Sequence, residues 1–263
     1  GIGSKVYSQI NAIFYTASAL WLGVLMYLFM AALVVALIYF IANIFGINFL
    51  AQNIKIISAS FFYLSFILVL YGVINATIPR VVNYEVSDSA LSKDWAHRKI
   101  VLVSDTHLGV VRGKNFMTKV VNKINEQNPD IVLIAGDIID GPVFDYAKGL
   151  SPLSNLKSTF GTFYTPGNHE AFNLEPEKFY PVIKSLALTL VDDKYFVNNT
   201  QIVGLSFKGG ESKESILERF NKTGYNKDIP SIVILHEPKN SEVLQNAGAS
   251  LVVSGHTHCG QFF

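Results

Sequence analysis

The stretch IVLIAGDIID, residues 131–140, decides the fold class of this chain. Its first half is apolar and rich in branched side chains, which is typical of a strand buried on both faces of a parallel sheet. Gly136 then makes a turn, and two carboxylates, Asp137 and Asp140, follow it. Because ligands bind at the carboxyl ends of strands in α/β sheets, this stretch predicts a buried strand that delivers acids to a functional edge.

The same pattern recurs at four other places in the chain. Each time an apolar run ends in side chains that can bind a metal or move a proton, namely Asp105 and His107, Asn168 and His169, His236, and His256 and His258. A single histidine at a strand end is more often a structural residue. Five of the six histidines of this chain lie at such ends, interleaved with acids. That concentration indicates one site built from several strand ends.

Short β-rich runs alternate with helical runs from about residue 81 onward. The predicted strands are Ile100–Ser104, Ile131–Ala135, Thr162–Thr165, Gln201–Leu205, Ile232–Leu235 and Leu251–Ser254. The predicted amphipathic helices are Asn115–Gln127, Glu175–Leu186, Lys213–Phe220 and Ser241–Gln245. This alternation predicts an α/β fold in which helices cover the sheets. No internal repeat or low-complexity segment interrupts it.

The first third of the chain is a different kind of sequence. Ala19–Ala42 is a run of 24 residues without a charge, and as a helix it would be about 36 Å long, enough to cross a bilayer core of about 30 Å. A second uncharged run, Ile56–Ile78, stops at Pro79 and Arg80. A buried helix of a soluble domain is disfavoured, because so small a domain could not bury two such apolar runs. A secretory signal is disfavoured by its shorter apolar region. The segment Asn43–Lys55 is then a hairpin loop.

The predicted division of the chain follows from these two patterns. Residues 1–79 are a membrane region with spans at about 19–42 and 56–78, and residues 80–263 are a separate domain. Of 21 basic and 20 acidic residues, only Lys5 and Lys55 precede Arg80. The net charge of +1 gives no sign of a nucleic-acid-binding surface. One cysteine, Cys259, excludes a disulfide framework and a Cys-rich zinc site.

The orientation of the membrane region is predicted from its flanking charges. The hairpin loop carries one lysine, whereas four basic residues follow the second span, namely Arg80, Lys93, Arg98 and Lys99. The positive-inside rule places the following domain in the cytoplasm, although large domains are also translocated regardless of charge.

The residue types at the strand ends define the chemistry of the site. Aspartate, asparagine and histidine without cysteine form a mixed oxygen and nitrogen ligand set, which suits Mn, Fe or Zn. Seven such ligands are too many for one ion, and they suit two divalent ions that share a carboxylate. Two ions about 3.5–4 Å apart clamp the attacking and leaving oxygens of a displacement at phosphorus. A water between two cations loses a proton near neutral pH and becomes the nucleophile.

These motifs carry a family resemblance. The series DTH, GDIID, GNHE, His236 and GHTH resembles the calcineurin-like metallophosphoesterases, and its order and spacing match over roughly Lys99 to Gln261. The two preceding spans make the chain similar to the membrane-anchored branch, whose last motif usually reads GHTHGGQ. The resemblance implies a sandwich of two mixed β-sheets flanked by helices, with the metals at the strand ends.

The resemblance also implies a role for each site residue. It assigns Asp105, His107 and His258 to one metal, and Asn168, His236 and His256 to the other. Asp137 would bridge the two ions. His169 would face the substrate phosphate, and Asp140 would orient His169.

Two features depart from the family pattern. Cys259 stands where the family commonly has glycine. It could place a sulfur near the metal, but we favour the interpretation that it is a small residue filling a small space. The chain also ends at Phe263, directly after the last motif, and starts without methionine. We therefore expect a fragment at both ends and an incomplete sheet.

The predicted function is metal-dependent hydrolysis of a phosphoester or pyrophosphate bond. The absence of G-x-S-x-G and of G-x-x-x-x-G-K-[ST] disfavours a serine hydrolase and a P-loop NTPase. The membrane anchor makes a phospholipid or a lipid-linked nucleotide a plausible substrate. The preference for monoesters or diesters stays open, because it depends on the loops Val110–Asn115 and Pro142–Gly149. The alternative is a non-catalytic membrane-anchored binding or sensing module that retains the metal site.

Overall fold

The structure is a computed structural model of the chain. It describes residues 9–86, 91, 95–140, 145–173, 175–186 and 188–258. The chain divides into two compact units, Gly1–Pro79 and Arg80–Phe263, and each is described by itself.

The first unit is helical. Its helices are α1 (Gln9–Ile44), α2 (Asn48–Gln52) and α3 (Ile54–Ala76). Helix α1 is longer than the predicted span because the residues before Ala19 continue it without a break, and the predicted hairpin loop contains α2. Both α1 and α3 are long and apolar enough to cross a membrane by length and composition.

Apolar side chains cover the outer surface of the first unit as well as its interior. Leu22 and Phe29 on α1 and Leu70 on α3 are each more than half exposed. Ser65 is buried where the two long helices meet, and its hydroxyl donates to the Tyr27 carbonyl at 3.3 Å and to the Phe61 carbonyl at 2.9 Å. Small residues at a helix contact and apolar residues facing outward are the pattern of helices surrounded by lipid.

The second unit contains two four-stranded sheets among its described residues. The strands of the first sheet are β1 (Ile100–Val103), β2 (Ile131–Ala135), β3 (Thr162–Thr165) and β4 (Thr189–Leu190). They are all parallel and lie in the order β1-β2-β3-β4. The strands of the second sheet are β5 (Lys194–Val197), β6 (Thr200–Leu205), β7 (Ser231–Leu235) and β8 (Leu251–Val253). In this sheet β5 is antiparallel to β6, and β6, β7 and β8 run parallel.

Helices connect the strands of the second unit. They are α4 (Lys114–Asn125), α5 (Tyr146–Leu150), α6 (Asn168–Asn173), α7 (Pro176–Ser185), α8 (Lys213–Lys222) and α9 (Glu242–Asn246), with a 3₁₀ turn at Ser151–Asn155. Most of these segments follow a strand and return the chain to the start of the next one, as parallel sheets require.

Three apolar clusters hold the layers together. Between the sheets, Leu133 and Phe163 of the first pack with Ile234 of the second. On the outer side of the first sheet, Met117 of α4 lies in the cluster that covers the strands. On the outer side of the second sheet, Phe220 of α8 does the same. This arrangement of two sheets flanked by helices confirms the predicted fold class, and it directs the carboxyl ends of both sets of parallel strands to one site.

Candidate metal centre

The loops that follow β1 and β2 run side by side. The Asp105 N–H donates to the Gly136 carbonyl at 3.1 Å, and the His107 N–H donates to the Asp137 carbonyl at 3.0 Å. These bonds extend the β1–β2 pairing beyond the strands themselves. They place the side chains of the DTH and GDIID motifs at one edge of the first sheet.

Five predicted ligands have a left-handed backbone. Their φ angles are positive, at 55° for Asp105, 45° for His107, 52° for Asp137, 69° for His256 and 50° for His258. Such angles are uncommon for residues other than glycine and cost of the order of 1–3 kcal/mol each. A concentration of strained residues at one place indicates a functional site, because the surrounding fold must maintain it.

The first cluster of ligand atoms contains Asp105, His107 and His258. Asp105 Oδ1 lies 3.8 Å from His107 Nε2 and 3.4 Å from His258 Nε2, and the two ring nitrogens are 3.1 Å apart. Asp105 Oδ2 accepts hydrogen bonds from the Ser104 hydroxyl and, at 2.8 Å, from the His256 N–H. Asp105 Oδ1 is buried and accepts no hydrogen bond from the part of the chain that the structure describes. A cation at this point would satisfy it.

The second cluster contains Asn168, His236, His256 and Asp137. Asn168 Oδ1 lies 2.9 Å from both His236 Nε2 and His256 Nδ1. His236 Nε2 is also 3.2 Å from Asp137 Oδ2 and 3.3 Å from His256 Nδ1. Two oxygens and two nitrogens therefore converge on one point.

The tautomer of His236 explains what this second cluster requires. His236 Nδ1 lies 2.6 Å from the Ala135 carbonyl, which can only accept, so Nδ1 carries the hydrogen. In the neutral ring, Nε2 then presents a lone pair to the other ligand atoms. Burial lowers the pKa of His236, but the hydrogen bonds to Asp137 and to the Ala135 carbonyl outweigh it, so the pKa lies above its ordinary value. A positive charge is therefore favoured at this point, and the donor set fits a divalent transition metal.

Asp137 belongs to both clusters. Its Oδ1 accepts a hydrogen bond from the His169 N–H at 2.8 Å, and its Oδ2 lies 3.2 Å from His236 Nε2 and 3.9 Å from His107 Nε2. Burial raises the pKa of Asp137, but hydrogen bonds from His236 and the His169 backbone lower it more, and the net pKa is lowered. The position of Oδ2 between the two groups is what a bridging ligand requires.

His169 and Asp140 form a pair at the edge of the clusters. His169 Nδ1 lies 3.0 Å from Asp140 Oδ1, and its Nε2 lies 4.0 Å from Asp137 Oδ2. The ring stands edge-on to the His107 ring, with the centroids 4.4 Å apart. Burial lowers the pKa of His107, and the neighbouring His169 lowers it further. His169 could therefore either join His107 and Asp137 around a metal or face a substrate.

Glu170 is a functional residue that sequence reasoning left without a role. Its carboxylate accepts four backbone N–H bonds, from Asp137 at 2.8 Å, Ile138 at 2.8 Å, Ile139 at 3.2 Å and Gly167 at 2.8 Å. The residue is only 3% exposed. Burial raises its pKa, while the hydrogen bonds from Gly167 and the Asp137 backbone oppose that rise. One buried side chain thus ties the GDIID loop to the GNHE turn, and its place as the last residue of GNHE was the available signal.

Two glycines allow the ligand loops to approach each other closely. A Cβ at Gly167 would lie 2.8 Å from the Asp137 nitrogen and 2.9 Å from His236 Nδ1, and a Cβ at Gly255 would lie 2.6 Å from Asp105 Oδ2. Real side chains essentially never make such contacts. Glycine is therefore required at both positions for the ligands to converge.

The structure brings all nine predicted site residues together, the seven expected ligands as well as His169 and Asp140. Cys259 and residues 142–144 of the loop Pro142–Gly149 lie outside the described residues. The roles of individual ligands therefore remain proposals that rest on this convergence.

The two-sheet fold and the cluster of Asp, Asn and His side chains define the chain as a metallophosphoesterase by class. The comparison with known families agrees. The chain belongs to the calcineurin-like phosphoesterase family, whose sequence pattern matches residues 98–260. The predicted resemblance is confirmed, and the candidate ligands described above fit the metal dependence of the family.

Relatives with assigned names include membrane proteins. An uncharacterized metallophosphoesterase of Helicobacter pylori is 34% identical over 170 residues, covering 63% of this chain and 45% of its own length. The transmembrane protein with metallophosphoesterase domain of Danio rerio is 29% identical over 214 residues, covering 75% of this chain and 48% of its own length. A phosphodiesterase of Escherichia coli is 27% identical over 179 residues, covering 62% of this chain and 61% of its own length. The chain thus spans about half of the length of the first two relatives.

Proposed function

We propose that this protein is a dinuclear metal-dependent phosphoesterase that hydrolyses a phosphoester or pyrophosphate bond. The family supplies the reaction class, and the finer statement depends on one observation. Two groups of ligand atoms meet at Asp137, one with Asp105, His107 and His258 and the other with Asn168, His236 and His256. A shared carboxylate between two sets of neutral and anionic ligands supports two divalent ions, such as Mn, Fe or Zn.

The ions would supply Lewis-acid charge for the phosphate and a water that is acidic near neutral pH. The chain contributes the geometry. Asp105 and Asp137 each give one oxygen to backbone or hydroxyl donors and keep the other for the centre. Glu170 holds the loop that carries Asp137 against the turn that carries Asn168.

In this proposal, His169 acts on the substrate and does not bind a metal. Asp140 accepts the hydrogen bond of Nδ1–H, which fixes the ring and leaves Nε2 directed toward the centre. In its protonated form, Nε2 can donate a proton to the oxygen of the leaving group. General acid catalysis of this kind contributes roughly 10²–10⁴-fold.

The apolar helices favour a substrate from the membrane. Two candidate spans and the transmembrane relatives indicate a membrane protein. We propose that residues 1–79 are the membrane region and residues 80–263 the phosphoesterase domain, directed to the cytoplasm by the basic residues that follow the second span. Because the domain follows α3 directly in the chain, a phospholipid or a lipid-linked nucleotide is the proposed substrate class.

Metal analysis combined with turnover tests this function. The full chain in lipid nanodiscs would be stripped with a chelator and reloaded separately with Mn²⁺, Fe²⁺ or Zn²⁺. We expect two equivalents of one metal and hydrolysis of p-nitrophenyl phosphate, bis(p-nitrophenyl) phosphate or an alkyl pyrophosphate only after reloading. Two bound equivalents without turnover of any of the three would favour the binding or sensing module. A single equivalent with full turnover would contradict the dinuclear centre.

A further inference from the structure

An aromatic surface lies beside the metal centre and takes no part in holding it. Phe172 is on α6, three residues after His169 and four after Asn168, so it shares a helix face with both. Its side chain is 71% exposed. A single exposed phenylalanine needs no explanation, but one that packs against a second ring beside a candidate site forms an apolar patch of the kind that marks a binding surface.

Phe172 is part of a series of rings that leads to the centre. Its ring stands edge-on to the Phe207 ring at 5.6 Å between centroids, and Phe207 stands edge-on to His236 at 6.5 Å. The Phe207 N–H donates to the Pro166 carbonyl at 3.2 Å, which joins the loop after β6 to the ligand turn. We call Phe172 and Phe207 the aromatic pair.

A glycine packs beside the aromatic pair in a backbone conformation that favours glycine. Gly209 lies against both rings, and a Cβ there would lie 3.5 Å from Phe207 and 3.6 Å from Phe172. Gly209 has a φ of 67°, an angle that disfavours a larger residue. The aromatic pair therefore contacts the candidate metal centre through the His236 ring and is exposed to solvent at Phe172.

We infer that the aromatic pair binds the hydrocarbon part of the substrate, an acyl or alkyl chain attached to the phosphate held at the metal centre. This inference rests on the proposed phosphoesterase function and extends it to a subsite. Two phenylalanine rings offer apolar contact without charge, which suits a hydrocarbon chain. The candidate spans of the same chain agree, because a membrane protein meets substrates that carry such chains.

Binding of two phosphonates measures the subsite without relying on turnover. Methylphosphonate and hexylphosphonate would be titrated by calorimetry into the Mn²⁺-loaded full chain in nanodiscs. The five added methylenes should bury part of their surface on the aromatic pair, and we expect hexylphosphonate to bind roughly tenfold more tightly than methylphosphonate. In Phe172→Ala, the ratio should fall below about twofold while methylphosphonate binds as before.

A matched control separates the subsite from partitioning into lipid. Phe196 is also a phenylalanine on the surface, 54% exposed, and it lies on β5 with no ring contact to the aromatic pair among those the structure describes. Phe196→Ala should keep the tenfold ratio. Equal ratios in Phe172→Ala and Phe196→Ala would overturn the inference, as would an equal loss of both phosphonates in Phe172→Ala.

Turnover distinguishes failure of the subsite from failure of the proposed function. Methyl and hexyl p-nitrophenyl phosphodiesters have the same leaving group and differ only in the chain. We expect the hexyl ester to be favoured in kcat/KM by the wild type and not by Phe172→Ala. Hydrolysis of both esters without chain preference would overturn the subsite alone. If the metal-loaded wild type bound neither phosphonate and hydrolysed neither these diesters nor p-nitrophenyl phosphate, both proposals would be overturned.

Discussion

Each aspartate at the centre divides its two oxygens between support and ligation. Asp105 Oδ2 accepts from the Ser104 hydroxyl and the His256 N–H, whereas its Oδ1 faces two imidazoles. Asp137 Oδ1 accepts from the His169 N–H, whereas its Oδ2 faces His107 and His236. The two aspartates differ in the imidazoles that they approach. Of the two, only Asp137 has imidazoles of both clusters within 4 Å.

This difference predicts unequal effects of two isosteric substitutions. Asp137→Asn removes the charge that both clusters share, so we expect it to lower the occupancy of both metals. Asp105→Asn removes charge from one cluster, so about one equivalent should remain. Elemental analysis of the purified variants measures this directly, with Asp228→Asn at an exposed position as the control. Two equivalents retained in Asp137→Asn would refute the bridging role.

The position of Glu170 predicts that its substitution weakens metal binding although no candidate ligand is removed. In Glu170→Gln, one carboxylate oxygen becomes an NH₂ group that faces two backbone N–H donors. The loops should separate, and affinity for both metals should fall about 10–100-fold, as for other residues that support ligands. Titration of Mn²⁺ followed by electron paramagnetic resonance reports both the affinity and the coupling of the ions. Glu177→Gln on the exposed face of α7 is the control, and an unchanged spectrum in Glu170→Gln would contradict the positioning role.

The His169–Asp140 pair predicts a dependence on the leaving group. An aryl alcohol of low pKa leaves without a proton, whereas an alkyl alcohol needs one, so His169→Ala should lose most activity on alkyl phosphates and much less on activated aryl phosphates. Both metals should remain bound, since Nδ1 pairs with Asp140. Equal losses on both substrate types would exclude proton donation, and loss of metal would place His169 among the ligands.

At the scale of elements, strands that are buried on both faces were predictable from composition. All six predicted strands are present, with bounds that differ by one residue at most. The prediction missed β4, which has two residues and pairs only with β3, so it carries no periodicity of its own. It also missed the short helix α6, because Gly167 and Asn168 are typical of a turn.

Strand β5 was missed for a different reason. Its sequence, KYFV at Lys194–Val197, shows no alternation of polar and apolar residues over its four positions. The turn that joins it to β6 did carry a signal, because Asn198 and Asn199 both have positive φ, at 46° and 56°, as a two-residue hairpin requires. Adjacent asparagines between two short runs therefore marked this hairpin.

The site was more predictable than the elements that support it. Its candidate ligands could be found because side chains that can bind metals are rare in apolar sequence. The role of Glu170 was not visible, because its four partners are backbone groups of two loops that meet only in the folded chain. For the same reason, the contact between Phe172 and Phe207 could not be found from their separation in sequence.

The hairpin turn predicts a stability effect at this scale. Asn199→Val puts a β-branched side chain where φ is 56°, and we expect a loss of roughly 1–2 kcal/mol in the free energy of unfolding. Asn199→Gly should be neutral or stabilising, since glycine prefers such angles. Thermal melting of the full chain in detergent compares them, with Asn221→Val on the exposed face of α8 as the control. If Asn199→Val were as stable as Asn221→Val, the predicted strain at this turn would be wrong.

At the scale of the whole molecule, the outward-facing apolar side chains of α1 and α3 fit helices that lipid surrounds. Two spans return the chain to the side from which it started. Under the proposed topology, the N-terminal end of the chain and the phosphoesterase domain would share one side of the membrane, and the turn near α2 would lie on the other. The charges predict the orientation of this hairpin in the membrane. One lysine lies near the turn, whereas several basic residues follow α3, and the positive-inside rule places the more basic side in the cytoplasm.

Cysteine accessibility tests the hairpin and its direction separately. In a variant with Cys259 replaced by serine, single cysteines would be placed at Asn11, at Asn48 in α2, and at Tyr84, which is 83% exposed. With a maleimide that does not cross membranes, intact cells should label Asn48→Cys only, and Asn11→Cys and Tyr84→Cys should react only after permeabilisation. The reverse pattern would keep the hairpin and move the domain to the other side of the membrane. Labelling of Asn48→Cys and Tyr84→Cys from the same side would show that α3 does not span the bilayer, and the case for a substrate drawn from the membrane would then lose its basis.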